Sequence, residues 1–149
     1  MPRFNVRMTA TTSATLDLGS VITAAATPRR FNLYDIVLGI IGAPADNIYE
    51  WQIQRKTGAA TAGTAPTITP LDFTDAVAAT LVANQAPTTN GAGSAVCLAI
   101  PLNQRATFRW VAAPGGELIS SIAASNGYGI NTPTMTALSG VGTFHVLEY

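Results

Sequence analysis

Few residues in this chain could carry chemistry, and their spacing favours no active site. His145 is the only histidine, Cys97 the only cysteine and Lys56 the only lysine. With one histidine and one distant cysteine, no zinc or iron site can be written with the usual ligand spacing. Lys56 follows no glycine-rich loop, which excludes a phosphate-binding P-loop. We therefore predict no metal and no cofactor, and a role for Cys97 as a small core side chain.

A serine–histidine–aspartate triad is the catalytic alternative that the residue types leave open. Ser125 and Ser139 lie in turn sequences, without the glycine-flanked elbow that exposes a nucleophilic serine. For His145, a hydrogen-bonded position in a strand is the simpler interpretation. Asp35 lies in an apolar run, where an unpaired carboxylate would be costly, so we expect an arginine partner for it. We predict that the chain is not an enzyme and has no catalytic, cofactor-binding or metal-binding residue.

The composition favours self-association. Charged residues are 11% of the chain, hydrophobic residues are 48%, and the formal net charge is zero. A neutral, charge-poor surface gives little repulsion between copies. Nucleic-acid binders usually carry a basic stripe, whereas the only basic pairs here are Arg29-Arg30 and Arg55-Lys56, which suggest solvated strand ends or salt bridges. We expect no nucleic-acid partner.

Membrane association is not expected either. The longest apolar run, Ile36–Ala43, is far shorter than the roughly 20 residues that a membrane helix needs. Met1–Met8 alternates polar and apolar residues and lacks the hydrophobic region of a signal peptide. The sequence predicts a protein made and kept in a cytosol, or carried in a particle assembled there.

Alternation of polar and apolar residues predicts an all-β, single-domain β-sandwich or jelly-roll-like barrel with about eight short strands and one short helix. Residues 1–28 are expected to form a strand and an extended arm, and residues 29–149 the sandwich body. The arm contains one short apolar piece that could be a weak second strand. The clearest strand segments are 4–8, 31–41, 48–55, 95–102, 104–112, 117–122, 128–131 and 142–148.

The helix is expected at Pro70–Ala83. Thr69 can cap it, Pro70 suits the first helical position, and Asp72 can complete a capping-box-like exchange. Phe73 and Leu81 then share one face with Val77 between them. Because Asp72 serves the helix start, it forms no acid–base pair with Asp75.

Aromatic residues mark the core. Trp51 and Trp110 lie on two strands in which residues alternate between the two faces, and both should be mostly buried. The Pro114-Gly115-Gly116 turn is expected to reverse the chain after the Trp110 strand. The segment Phe31–Ile41 is apolar on both faces. We therefore expect its second face to be covered by a neighbouring sheet or subunit.

Two segments, Ile48–Arg55 and Pro101–Ile119, resemble a family of small virion proteins of tailed bacteriophages. The similarity includes Pro70-Leu71-Asp72 and the strand ending in Glu148, and covers roughly Arg29–Tyr149. The resemblance implies a capsid decoration (cement) protein with a β-sandwich or jelly-roll body, assembled as a homotrimer on the major capsid protein. It implies that the protein is located in the virion, and in the host cytoplasm during assembly. The resemblance offers no catalytic residue.

Two other functions stay open. One is a different virion component, such as a head fibre or a tail or receptor-binding part, which an exposed loop aromatic would favour; Tyr128 is the best candidate. The other is a carbohydrate-binding β-sandwich module. That function would need two or three exposed aromatic residues on one face beside Asp, Asn or Arg side chains.

Overall fold

The computed structural model describes residues 1–75 and 80–149, and within them the fold is all β. Eleven strands form in these residues, more than the eight or so predicted. Their bounds are β1 Arg3–Thr11, β2 Gly19–Thr23, β3 Phe31–Ile41, β4 Ile48–Lys56, β5 Ile68–Pro70, β6 Leu81–Gln85, β7 Ala95–Asn103, β8 Phe108–Val111, β9 Leu118–Ile119, β10 Gly127–Asn131 and β11 Ser139–Glu148.

The strands form two antiparallel sheets. Sheet A has the order β5-β1-β11-β3-β8, with β9 also paired to β3, and sheet B has the order β6-β2-β10-β4-β7. One hydrophobic cluster contains residues of both sheets, so the predicted β-sandwich is confirmed. Strand β1 pairs with β11, β2 with β10, β3 with β8 and β4 with β7. The chain therefore folds back on itself from both ends towards its middle.

Residues 1–28, expected to form a strand and an extended arm, contain the strand as β1, and the apolar piece of the arm forms β2, the weak second strand that the sequence allowed. Strand β1 lies between β5 and β11 in sheet A, and β2 lies between β6 and β10 in sheet B. Phe4, Val6 and Met8 are completely buried, because their side chains point from β1 into the space between the sheets. This segment is part of the sandwich and cannot be separated from the core.

The core follows the predicted alternation. Trp51 and Ile53 point inward from β4, and Phe144 and Val146 do so from β11; all four are buried. The prediction for the second tryptophan holds only in part. Trp110 lies on the inward face of β8 but is half-buried, because β8 is at the edge of sheet A, where the opposite sheet covers it less.

The predicted helix is wrong. Pro70 ends β5 and pairs with Phe4, while Leu81 begins β6 and pairs with Thr23; residues 76–79 lie outside the described residues. Phe73, expected on the buried face of the helix, is fully exposed. Pairing with β1 and β2 outweighs the local helix signals here.

The capping residue of that helix has another role. Asp72 Oδ1 accepts hydrogen bonds from the backbone N of Thr74 at 2.9 Å and from its hydroxyl at 2.7 Å. This arrangement is an Asx-type turn, which forms a bend after β5.

The Pro114-Gly115-Gly116 turn is present but does not reverse the chain. The backbone N of Gly116 donates to the carbonyl of Ala113 at 2.7 Å, and Gly115 has a φ of 80°, as position three of a type II turn requires. Strands β8 and β9 both pair antiparallel with β3. Residues 112–117 are therefore an excursion from one interrupted edge strand, after which the chain returns to the same edge.

We predict unequal effects from truncating the two tryptophans. Trp51→Ala should reduce the free energy of unfolding by about 3–5 kcal/mol, because it leaves a cavity in a closed core. Trp110→Ala should cost clearly less, since solvent can reach the space it vacates. Urea unfolding of both variants measures the difference, and equal losses would contradict the assignment of Trp110 to a half-open edge.

Candidate functional site

A bulge in β3 builds the most polar part of the outer face of sheet A. His145 pairs with Asp35, but Val146 pairs with Leu33, so Tyr34 is an extra residue in β3. The bulge brings two consecutive side chains to the same outer face. Asp35 contacts the imidazole of His145, and the Tyr34 ring stacks on it with centroids 6.2 Å apart.

Asp35 is the centre of a charged cluster. Arg109 donates from Nη2 to Asp35 Oδ2 at 2.6 Å and from Nε to Oδ1 at 3.0 Å. His145 Nδ1 lies 2.9 Å from the same Oδ2. The arginine partner expected for Asp35 is thus confirmed, and so is the hydrogen-bonded strand position of His145.

The cluster sets the ionisation of its carboxylate. The hydrogen bonds from Arg109 hold the pKa of Asp35 below its ordinary value, against the opposing effect of burial, and the hydrogen bond to His145 also lowers it. Burial raises the pKa of the Tyr34 phenol. At neutral pH the cluster contains an ionised Asp35 and a neutral Tyr34.

The Asp35–His145 contact resembles two thirds of a catalytic triad, but the third group is missing among the described residues. Ser139 is at the other end of β11, six residues from His145, which is about 20 Å along a strand. Ser125 lies in the connection between β9 and β10. Within residues 1–75 and 80–149, neither serine nor Cys97 makes a hydrogen bond with His145. The arrangement can orient the imidazole, and the described residues supply no nucleophile hydrogen-bonded to it.

A cleft of about 530 Å³ lies beside this cluster. It forms because the excursion at residues 112–117 leaves the edge of sheet A, while the bulge pushes Tyr34 outward. The Ala112 backbone N donates to the Tyr34 carbonyl at 2.9 Å and fixes the start of the excursion. The cleft is lined by Met1, Arg3, Asn32, Tyr34, Val111, Ala112, Pro114, Glu117, Leu147 and Tyr149.

The cleft combines aromatic and polar groups. Asn32, which is buried, donates from Nδ2 to the Tyr149 hydroxyl at 2.8 Å, and this hydrogen bond positions the partly exposed Tyr149 ring. Arg3 and Glu117 contribute one charge of each sign. Tyrosine has an apolar ring and a polar tip, so the site suits a ligand that presents both apolar surface and hydroxyl groups.

The other residues considered from the sequence lie elsewhere. Tyr128 is buried in β10, where its hydroxyl donates to the Ile119 carbonyl at 2.7 Å; it is not an exposed loop residue. Cys97 is the half-buried extra residue of a bulge in β7. Asp72 lies exposed in the bend after β5. Lys56 is buried in an ion pair with Asp17, so a salt bridge is correct for this residue and a solvated strand end is not.

The described part of the chain, residues 1–75 and 80–149, also lacks two other features, a metal-ion cluster and a membrane-spanning helix. No group of three His, Cys, Asp or Glu side chains there could hold a metal ion. Those same residues include no helix of the length and apolarity needed to cross a bilayer. Comparisons with protein-family models, with curated proteins and with solved structures found no significant match.

Two carboxyl substitutions should change stability in opposite directions at neutral pH. Asp35→Asn removes charge-assisted hydrogen bonds and should cost about 1.5–3 kcal/mol at pH 7. Burial raises the pKa of Glu148, an effect that Arg29 partly offsets, so Glu148→Gln should stabilise the protein at pH 7.

The pH dependence of the two effects follows from linkage. The folded pKa of Asp35 is lowered, so its contribution is present above the unfolded value of about 3.9 and is lost as the pH falls through the folded value. The folded pKa of Glu148 is raised, so its unfavourable contribution is absent below an unfolded value of about 4.3 and grows as the pH rises above it. Denaturant unfolding between pH 3 and 8 measures both, and effects that do not depend on pH would contradict them.

Proposed function

We propose that this chain is a non-catalytic structural virion protein that decorates and stabilises an icosahedral phage capsid as a homotrimer. The resemblance of Ile48–Arg55 and Pro101–Ile119 to small phage virion proteins suggests the class. We further propose that the sandwich is a jelly roll, an architecture that recurs in viral capsid domains and in lectins. The strand pairing supports this: among β1, β2, β3, β4, β7, β8, β10 and β11, the first pairs with the last, the second with the seventh, the third with the sixth and the fourth with the fifth.

An apolar groove on the outer face of sheet A is the observation that carries the proposal. Val37, Gly39 and Ile41 of β3 lie beside Val141 of β11, and the groove has a volume of about 190 Å³. Ile41 is 51% exposed. The sequence predicted that the second face of β3 would be covered, and in the isolated chain this end of it is open. We assign the groove to the contact between copies of the chain in the trimer.

The remaining surface suits attachment to a shell. With eight basic and eight acidic residues in 149, the trimer carries little charge to oppose docking. Three copies that each make a modest contact with the major capsid protein add to a high total affinity, because the second and third contacts form within one complex. In this function His145 and Asp35 hold β3, β8 and β11 together and take part in no reaction.

Binding to capsids tests the function. The purified protein, mixed with expanded capsids that lack it, should occupy regular surface positions and raise the temperature at which the heads rupture. Electron microscopy and thermal release of DNA measure the two effects. Normal head stability without the protein, or no occupancy after mixing, would contradict the decoration function.

The groove can be tested separately with a matched pair of substitutions. Ile41→Glu places a charge in the proposed subunit contact and should weaken self-association at least tenfold, without loss of the fold. Ile48→Glu is the control, because Ile48 is 72% exposed but does not line the groove. Sedimentation of both variants decides: equal behaviour would remove the groove from the interface.

A second candidate function, carbohydrate binding, is favoured by the cleft. Tyr34, which is half-buried, and Tyr149, which is 48% exposed, lie there beside Asn32 and Arg3, which meets in part the requirement for exposed aromatic residues beside polar side chains. Tyr149→Ala should abolish binding of a recognised glycan, whereas Tyr149→Phe should keep part of it because the ring remains. A glycan array followed by titration calorimetry tests this; an array without a reproducible ligand would contradict it. The receptor-binding alternative loses its best candidate residue, since Tyr128 is buried.

A further inference from the structure

A second polar cluster, on the outer face of sheet B, serves neither of these functions. The Lys56 ammonium lies 2.7 Å from Asp17 Oδ2, and the two side chains are only 2% and 1% exposed. Asn131, also buried, donates from Nδ2 to Asp17 Oδ1 at 3.1 Å. One carboxylate therefore contacts both an amine and a carboxamide, each through a different oxygen atom.

The strands position these groups with little freedom. Lys56 pairs with Gly127, and Asn131 is further along the same strand, β10. Gly129 lies between them: a Cβ at this position would be 2.7 Å from Lys56 Cε. Because Gly129 has no side chain, Lys56 can lie flat along β10 in the direction of Asn131.

Asp17 and Lys56 are also held from other sides. The Asp17 backbone N donates to Asn90 Oδ1 at 2.7 Å, and the next residue, Leu18, donates its N to the Ile130 carbonyl at 2.8 Å. Lys56 Nζ donates to Gln54 Oε1 at 3.0 Å. The amine is thus held by one hydrogen bond and one ion pair in a buried site.

We propose that Lys56 and Asn131 form an intramolecular isopeptide bond, with Asp17 as the proton carrier. The Asp17 carboxylate takes a proton from the Lys56 ammonium, and the amine attacks Cγ of Asn131. Asp17 then returns the proton to Nδ2, the Cγ–Nδ2 bond breaks, and the nitrogen leaves as ammonia, which the second ammonium proton converts to ammonium. One amide is exchanged for another, so no oxidant and no cofactor is required.

The site has the features that such a reaction needs. Holding the amine and the amide against one carboxylate replaces a bimolecular encounter with a fixed geometry. Burial excludes the water that would compete for the amide carbon. The product would join β4 to β10 covalently within sheet B and would resist any force that separates these strands.

The mass of the intact protein tests the proposal. After purification and prolonged incubation, the chain should be lighter than its sequence mass by one ammonia, about 17 Da. Trypsin does not cleave after an acylated lysine, so digestion should give one cross-linked species that joins residues 56–105 to residues 110–149. The full sequence mass together with separate peptides would overturn the proposal.

Two variants assign the residues. Lys56→Arg keeps the positive charge but cannot form the bond, and Asp17→Asn keeps the shape but cannot carry the proton; both should have the full mass. A loss of ammonia that persists in Lys56→Arg would come from another asparagine and would overturn the assignment. A cross-link in Asp17→Asn would remove Asp17 from the reaction. If either variant fails to fold, the peptide map of the unaltered protein still decides whether the bond exists.

Discussion

The pairing of the first strand with the last is the constraint on which the rest of the sandwich depends. Strand β11 lies between β1 and β3, with nine residues of β1 in register from Arg3 to Thr11. Side chains from both strands, such as Val6 and Phe144, are completely buried between the sheets. Most of this stabilisation comes from apolar burial, at about 25 cal/mol per Å². Strands β1 and β11 are therefore both inner strands of sheet A.

The two outer faces differ in what they can do. The outer face of sheet A has an apolar groove at one end and, at the other, the Asp35 cluster with its cleft. The outer face of sheet B carries a row of polar side chains along β4, from Glu50 to Lys56, linked by hydrogen bonds, and Asp17 and Asn90 cover the Lys56 end of it. Sheet A is therefore the face that offers binding surfaces. The covered end of sheet B offers an internal site, where chemistry between its own side chains is possible.

The sequence predicted much of the fold because alternation reports directly on which side of a strand is buried. The strands containing Val6, Trp51 and Phe144 followed from this pattern, and the arginine partner of Asp35 followed from the cost of burying an unpaired carboxylate. The helix predicted at Pro70–Ala83 was wrong because cap signals are local. Strands β5 and β6 form instead by pairing with β1 and β2, which are distant in the chain. Strand β1 was predicted, whereas composition alone could not decide between a weak strand and an arm for the segment that forms β2, because β2 is fixed by pairing with the distant strands β6 and β10.

The candidate site was mostly hidden from sequence reasoning. The cleft joins Arg3, Tyr34, Glu117 and Tyr149, which only the sheet order brings together. One signal was present: the inward positions of β3 change from Phe31 and Leu33 to Ile36 and Leu38, and such a change of phase predicts a bulge near Tyr34. The Asp17–Lys56–Asn131 cluster gave no comparable signal, since its three members come from distant segments.

Self-association is the central claim, and sedimentation equilibrium of the unaltered chain at micromolar concentration tests it most directly. The account predicts a single species of three times the chain mass. Its association should change little between low and high salt, because apolar contacts are not screened as exposed ion pairs are. A monodisperse monomer under these conditions would contradict the account, since the groove around Val37 and Ile41 would then have no partner subunit.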